Sequence, residues 1–283
     1  FRFLNPRGIL LAETEVWPNL LTEAKKNGVP VGIINARLSE RSFKRYRAAS
    51  FLLKGIWKKI DFVLAQTGED AGRFRQLGVS AEAVREMGNM KFDQADFGPA
   101  LTGAAEKLRE AWGFGAGDLV FIAGSTHPGE EKMLAAVYGE LKTKYPALKM
   151  VIAPRHIERS EKLLKELSSS GFRAALSTSR PTAGAFEILL LNELGVLRGL
   201  YQIADLVFMG GSFVPHGGQN PIEPAYFARA ALHGPHVFNF NKIYRELDQG
   251  GGAFEVKETG DLKALSEKFL SDPALRREAG MKI

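Results

Sequence analysis

The sequence predicts an α/β fold with parallel sheets, built as two Rossmann-like domains facing a cleft. Three observations lead there. Short apolar runs alternate with amphipathic stretches of helical period along most of the 283 residues, the pattern of parallel strands joined by helices on both sheet faces. The residues that look chemically purposeful fall just after the apolar runs, at the edge where open parallel sheets bind ligands. One aperiodic stretch, Gly88–Thr102, interrupts the alternation. It predicts two domains, residues 1–97 and 98–283, the first truncated at its N-terminal end.

In chain order, Gly8–Ala12 reads as the first strand, Trp17–Lys26 as a helix and Val29–Asn35 as the second strand. A basic helical pair occupies residues 37–59, followed by a strand at Phe62–Gln66 and a helix at Glu69–Leu77. After the break, strands are expected at Val120–Gly124, Lys149–Ala153, Phe186–Leu191, Asp205–Met209 and Ala230–His233. Helices are expected at Glu130–Lys144, Glu158–Ser169, Ala225–Ala228 and Asp261–Leu270. The chain opens on Phe1 rather than Met, and its first apolar run already reads as a buried strand. The expectation is a fragment that begins within a domain.

An apolar share of 45% and a charged share of 25% are those of a soluble globular protein. The absence of cysteine excludes disulfides and thiolate metal sites. No apolar run reaches the 18 residues of a membrane span, and no signal peptide is recognisable. The five histidines show neither HxxxH nor HExxH spacing, so no metal site is expected. Residues 37–59 carry eight cations and one carboxylate, a net +7 against +6 for the whole chain. Phe43, Tyr46, Phe51, Ile56 and Trp57 are interleaved with them. That mixture suits an anionic membrane surface or nucleic acid, and equally a solvated helical pair whose apolar side packs on its own domain.

The most informative stretch runs from Gly210 to Pro224, between a strand and a helix: Gly210-Gly211-Ser212-Phe213-Val214-Pro215-His216-Gly217-Gly218-Gln219-Asn220-Pro221-Ile222-Glu223-Pro224. Glycines let a backbone approach a ligand, and a helix start attracts phosphate. Glu223 stands where a carboxylate would hold a ribose diol. Asn220-Pro221-Ile222-Glu223 is also a sound helix start, with Asn as N-cap, Pro at N1 and Glu at N3 reaching back. Both readings stay open.

Gly124-Ser125-Thr126-His127-Pro128-Gly129-Glu130-Glu131 forms another strand-to-helix turn. Ser125 and Thr126 suit a phosphate or carboxylate cradle, or Thr126 caps the helix. Ala153-Pro154-Arg155-His156 ends the next strand, and Arg155 could grip a phosphate or carboxylate with its fork. Glu13-Thr14-Glu15-Val16-Trp17-Pro18-Asn19 follows the first strand. One of its carboxylates could act as a base or stabilise developing charge, or these acids could simply favour a helix start.

These segments, with Asn35-Ala36-Arg37-Leu38-Ser39, Gly88-Asn89-Met90-Lys91-Phe92-Asp93 and Ile157-Glu158-Arg159, occur in an order that resembles the bacterial 3-deoxy-D-manno-octulosonic acid (Kdo) transferases over about residues 8–256. The resemblance implies a GT-B glycosyltransferase that moves Kdo from CMP-Kdo onto a lipid A precursor at the cytoplasmic face of the bacterial inner membrane, with inversion. It implies that Pro154, Arg155, Met209, Gly210, Gly211, Asn220, Pro221, Ile222 and Glu223 hold CMP. Ser125, Thr126, His156 and Ser212, beside them in the same motifs, join the expected donor site. Glu13 and Lys91 are implied as the catalytic pair that stabilises the transition state. The family's general base, a glutamate in a Ser-x-Gly-Glu motif upstream, is not in this sequence. A membrane anchor would also lie upstream. No cofactor beyond the donor substrate, no metal and no nucleic acid partner are expected. Another GT-B enzyme, such as a UDP-sugar epimerase, and a non-catalytic nucleotide-binding fragment are the alternatives.

Overall fold

A four-stranded and a seven-stranded parallel sheet form the cores of two units, residues 1–96 and 97–283, in a computed structural model that describes residues 3–90 and 104–283. Lys91 and the expected boundary at 97/98 lie outside the described residues.

The smaller unit runs β1 (Ile9–Ala12), α1 (Pro18–Lys26), β2 (Val31–Ala36), α2 (Glu40–Ala48), α3 (Ser50–Trp57), β3 (Phe62–Ala65), α4 (Gly68–Leu77) and β4 (Val84–Glu86), with strands paired in the order β1-β2-β3-β4. Local signals set its helix ends. Ser39 accepts from the Ser42 amide at 3.2 Å and Thr67 from the Asp70 amide at 3.0 Å, each satisfying an amide the helix cannot. Gly78, with φ 109°, closes α4 in the left-handed conformation. Val31, Ile33, Val63 and Ala65 pack with Leu21, Trp57 and Phe74.

That packing decides between the two readings of the basic helical pair for most of its aromatic residues. Trp57 is 1% exposed and stacks edge-on between Tyr46 (5.3 Å) and Phe74 (6.0 Å). Phe43 leans on the same core. Only Phe51 among the four aromatic residues of the pair stands in solvent, 81% exposed. The apolar stripe chiefly serves its own unit, where each fully buried large side chain contributes about 1.5–3 kcal/mol.

The larger unit opens with α5 (Ala104–Ala111), β5 (Leu119–Thr126), α6 (Glu130–Lys144), β6 (Leu148–Pro154), α7 (Ser160–Ser169), β7 (Ala174–Leu176) and β8 (Ile188–Leu190). It continues with α8 (Leu197–Leu200), β9 (Leu206–Met209), α9 (Ile222–Tyr226), β10 (Ala231–His233), α10 (Asn241–Gly250), β11 (Ala253–Glu255), α11 (Thr259–Ser271) and α12 (Pro273–Lys282). Its strand order is β11-β10-β9-β5-β6-β8-β7. Both faces of the sheet are covered. Phe121, Met150, Ile188 and Phe208 pack under Leu134, Tyr138 and Leu163 on one face. Val120, Ile122, Val151, Leu189 and Val207 pack with Phe114, Tyr201 and Tyr244 on the other. Burial on both faces is why these strands read as continuous apolar runs.

From β5 the chain crosses to β6 on one side and returns as β9 on the other, with Gly124 paired to Ala153 and to Met209. The carboxyl ends of β5 and β9 therefore flank the topological switch point, where such sheets open a crevice. Among the described residues, no helix is long and apolar enough to cross a membrane.

Candidate functional site

Every donor-site residue expected from the sequence lies at or beside the carboxyl edge of the large sheet, but the residues play different parts. The β5–β6 register shifts between Gly124 and Thr126, and Ser125 bridges the shift with φ 54°, a left-handed conformation rare for a residue with a side chain. Gly210 packs directly on Ser125 and Thr126, and a side chain there would collide with their backbone. Gly211 takes φ 68°. The two turns after β5 and β9 are thus pressed together, as glycine alone permits.

The first amides of the glycine loop, Gly210 to Phe213, are all bonded within the protein. Glu130, fully buried, accepts from Gly211 N (2.7 Å) and His127 N (2.9 Å) at one oxygen and from Ser212 N and Phe213 N (both 3.0 Å) at the other. Four backbone donors thus converge on one internal carboxylate. The anion in that nest is the protein's own. The Gly210 amide is spent on Gly124 O at 2.8 Å. Ser212 is buried too, its hydroxyl donating to Met209 O at 2.5 Å and accepting from Gly234 N at 2.8 Å.

Thr126 does not cap α6, whose N-cap is Gly129. Its buried hydroxyl instead donates to Glu131 Oε1 at 3.0 Å, and Glu131 in turn receives Arg159 at 2.9 Å. Met209 and Ile222 sit in the core, and Pro154 and Pro221 are buried. Their side chains shape the edge from within.

The second half of the loop is different. Helix α9 starts one residue later than expected, so Pro221 is the N-cap and Asn220 stands before it, accepting from Ile222 N at 3.2 Å. The Asn220 side chain also hydrogen-bonds the Glu223 carboxylate, so Glu223 does not reach back in a capping box. Burial pushes the Glu223 carboxyl above its ordinary value, only partly offset by Arg198, Asn220 and Arg155. One carboxylate, one amide and two guanidiniums thus gather at the switch point. Tyr201, beneath Gly124, feels the same carboxylate, and burial foremost raises its phenol well above the ordinary range.

Three imidazoles border this cluster. His127 stacks on His216 at 4.1 Å and meets His156 edge-on at 6.1 Å. His127 Nε2 lies 3.1 Å from Gln219 Nε2, which suits a ring nitrogen that accepts. Burial first, then the charges of His216 and His156, holds His127 below its ordinary value. The sequence reading missed Arg198, His127 and His216 as site residues. Arg198 lies inside α8, away from the end of β8, and no local pattern marked it.

In the smaller unit, Glu13 directly follows β1 and Asn35 closes β2, with φ 60° and 51°. Helix α1 begins only at Pro18 with Trp17 as its N-cap, so Glu13 is no helix-start acid. Glu13 is exposed, and its amide donates to Ile34 O at 2.9 Å. The buried Asn35 side chain accepts from Met90 N at 3.2 Å. Left-handed backbone at two non-glycine residues on one sheet edge is the kind of strain that collects at functional sites.

With this geometry in place, the known proteins that match are consistent with it. The family model described as 3-Deoxy-D-manno-octulosonic-acid transferase (kdotransferase) matches residues 1–94. The 3-deoxy-D-manno-octulosonic acid transferase of Haemophilus influenzae is 34% identical over 280 residues, 98% of this chain, and the chain spans 65% of that protein's length. The C-terminal CMP-Kdo binding domain of WaaA from Acinetobacter baumannii superposes with a TM-score of 0.60 at 21% identity, covering 64% of this chain and 94% of that one. UDP-GlcNAc 2-epimerase from Neisseria meningitidis, bound to UDP-GlcNAc, gives 0.59 at 14% identity, over 99% of this chain and 72% of that one. The fold is GT-B, with two Rossmann-like domains, and the chain is similar over nearly its whole length to 3-deoxy-D-manno-octulosonic acid transferases.

Proposed function

We propose that this chain binds CMP-Kdo at the carboxyl edge of its large sheet and forms part of a glycosyltransferase that moves Kdo to a lipid A precursor with inversion. The observation that carries the reading is the gathering of Glu223, Asn220, Arg155 and Arg198 at the switch point. A CMP-sugar acid offers a ribose diol, a phosphate and a carboxylate. Glu223 and Asn220 take the diol, and the two guanidiniums take the anions, Arg155 through its fork. Because Glu130 fills the amide nest, side chains rather than loop amides hold the donor. Glu13 and Lys91 are assigned to the transition state, the carboxylate facing developing positive charge on the sugar and the ammonium facing the leaving phosphate.

Titration calorimetry of this chain with CMP, UMP and UDP tests the reading. CMP binding tightest, with Arg155→Lys weakening it despite the retained charge, supports it. UDP binding tightest would instead favour an epimerase-like enzyme. In the full-length protein, Glu13→Ala and Lys91→Ala are expected to lower kcat by about 10²-fold. A change in donor KM alone would make either residue a binder.

The cytoplasmic face of the inner membrane suits a lipid acceptor. The exposed cations Arg41, Lys44, Arg45, Arg47 and Lys58 accompany the exposed Phe51, and each cation near an anionic surface contributes about 1 kcal/mol. Sedimentation with anionic but not neutral vesicles at low salt supports that surface. Equal binding to both sinks it.

A further inference from the structure

A second concentration of charge lies at the opposite, amino edge of the large sheet. A cavity of about 270 Å³ opens beside Asp205, just before β9, and is lined by Arg229, Arg276 and Arg277 together with Phe269, Pro273 and Ala228. Asp205 is the single carboxylate in this lining. It accepts the Val120 amide at 2.9 Å and meets Arg109 and Arg276 at 3.5 Å each. Asp272, next in sequence to Pro273, turns its carboxylate to the amides of Ala274 (2.9 Å) and Leu275 (3.0 Å). Two guanidiniums thus pair with Asp205, and those of Arg229 and Arg277 line the same cavity.

The guanidiniums are not equally occupied. Arg109 and Arg276 also donate to backbone carbonyls, of Asp118 and Ile203 and of Phe269 and Leu270 respectively. Arg229 donates through Nη2 to Gln202 O at 2.6 Å, and its buried Nε has no partner. Burial foremost, then the like charges of Arg109 and Arg276, depresses its hold on its proton, with Asp205 opposing. Arg277 stands exposed at the rim. A half-buried guanidinium with an unpartnered buried Nε, in a lining of three guanidiniums and one carboxylate, is a site that a dianion would complete.

We propose that this cavity is a binding site for a small phosphate ester, its phosphate held by Arg229, Arg276 and Arg277 and its organic part against Phe269 and Pro273. The site is separate from the carboxyl edge and does not rest on the donor reading.

The test is an NMR titration of this chain, following the Arg229 and Arg277 side chains and the amides of residues 228–230. Inorganic phosphate and glycerol 3-phosphate are the probes, against sodium chloride of equal ionic strength. Saturable shifts with a Kd below about 1 mM, tighter for the ester, are expected. Arg277→Gln, at an exposed position, should weaken binding about tenfold. Asp205→Asn removes the competing carboxylate and should tighten it. Shifts that track ionic strength alone overturn the site, as does unchanged affinity in both variants. Binding only to phosphatidylglycerol vesicles, and not to the soluble ester, would overturn the small-molecule assignment. CMP shifting these same signals with the same affinity would show that the cavity is not separate from the donor site.

Discussion

Two carboxylates on the same sheet edge, Glu130 and Glu223, show how differently one chemical group can be satisfied within one fold. Glu130 is fully buried and collects four backbone donors at 2.7–3.0 Å. Nothing further can reach it, and its energy goes into locking the turn after β9 against the start of α6. Glu223 is half-buried, with a single side-chain amide as hydrogen-bonding neighbour and two guanidiniums nearby. Its burial costs more than its partners return, which is why its carboxyl is pushed up. A ligand hydroxyl would recover part of that cost. Satisfaction, more than burial, separates the structural carboxylate from the one proposed to hold the donor.

The comparison breaks most visibly at Glu130. Replacing it with Ala strands four buried amides, and Glu130→Gln turns donors toward donors. A loss of about 3 kcal/mol or more in urea unfolding is expected for either, since each orphaned buried donor costs about 1–3 kcal/mol. A variant within about 0.5 kcal/mol of the parent would show that the loop does not depend on this nest.

Glu223→Gln should have the opposite sign on stability. A carboxyl whose folded value lies above its unfolded value near 4.5 stabilises the fold only below that unfolded value, and the contribution disappears as pH rises through the raised folded value. Removing the charge should therefore raise Tm at neutral pH by on the order of a degree or more, with the gain vanishing toward acid. The same variant should weaken CMP binding by about 1–3 kcal/mol. A lower Tm at neutral pH together with unchanged CMP affinity would make Glu223 a helix-start residue and nothing else.

The smallest effect concerns His127, whose amide bonds Glu130 and whose ring feels the charge of Arg155. Its folded value lies below 6.5, so its contribution to stability is present above that pH and lost as pH falls through the depressed value. An anion bound beside it would raise that value. CMP binding near pH 6 should then take up a fraction of a proton, read by calorimetry in buffers of different ionisation enthalpy. His127→Gln should abolish the uptake. Equal heats in all buffers would place the anion away from the three imidazoles.

Much of the fold was legible because burial on both sheet faces writes itself as apolar runs. The expected strands at Val120–Gly124, Lys149–Ala153 and Asp205–Met209 fall on β5, β6 and β9. The missed strands β4, β7 and β11 are three residues each and largely half-exposed or exposed, too short for any period to register. The site was legible as a place and less so as an arrangement. Strand ends located the 124–131 and 210–224 turns, but no local pattern pairs Glu130 with amides 81–83 residues away. Asn220 to Glu223 read correctly as a helix start, one residue early. Trp57 could not be told from a membrane-facing tryptophan, because a stripe of one period serves either destination.

Helix α9 is only five residues long, with Glu223 in its first turn. Just beyond its last turn the Arg229 amide donates back to Pro224 O at 3.0 Å, and the Arg229 guanidinium reaches Gln202 O. Arg198, which offsets Glu223, lies four residues before Gln202. At about 1.5 Å of rise per helical residue, a displacement at one end of so short an element has little room to dissipate before the other. Thermodynamic linkage gives this a strict form: if occupancy near Arg229 alters nucleotide affinity near Glu223 by some factor, the nucleotide must alter affinity near Arg229 by the same factor.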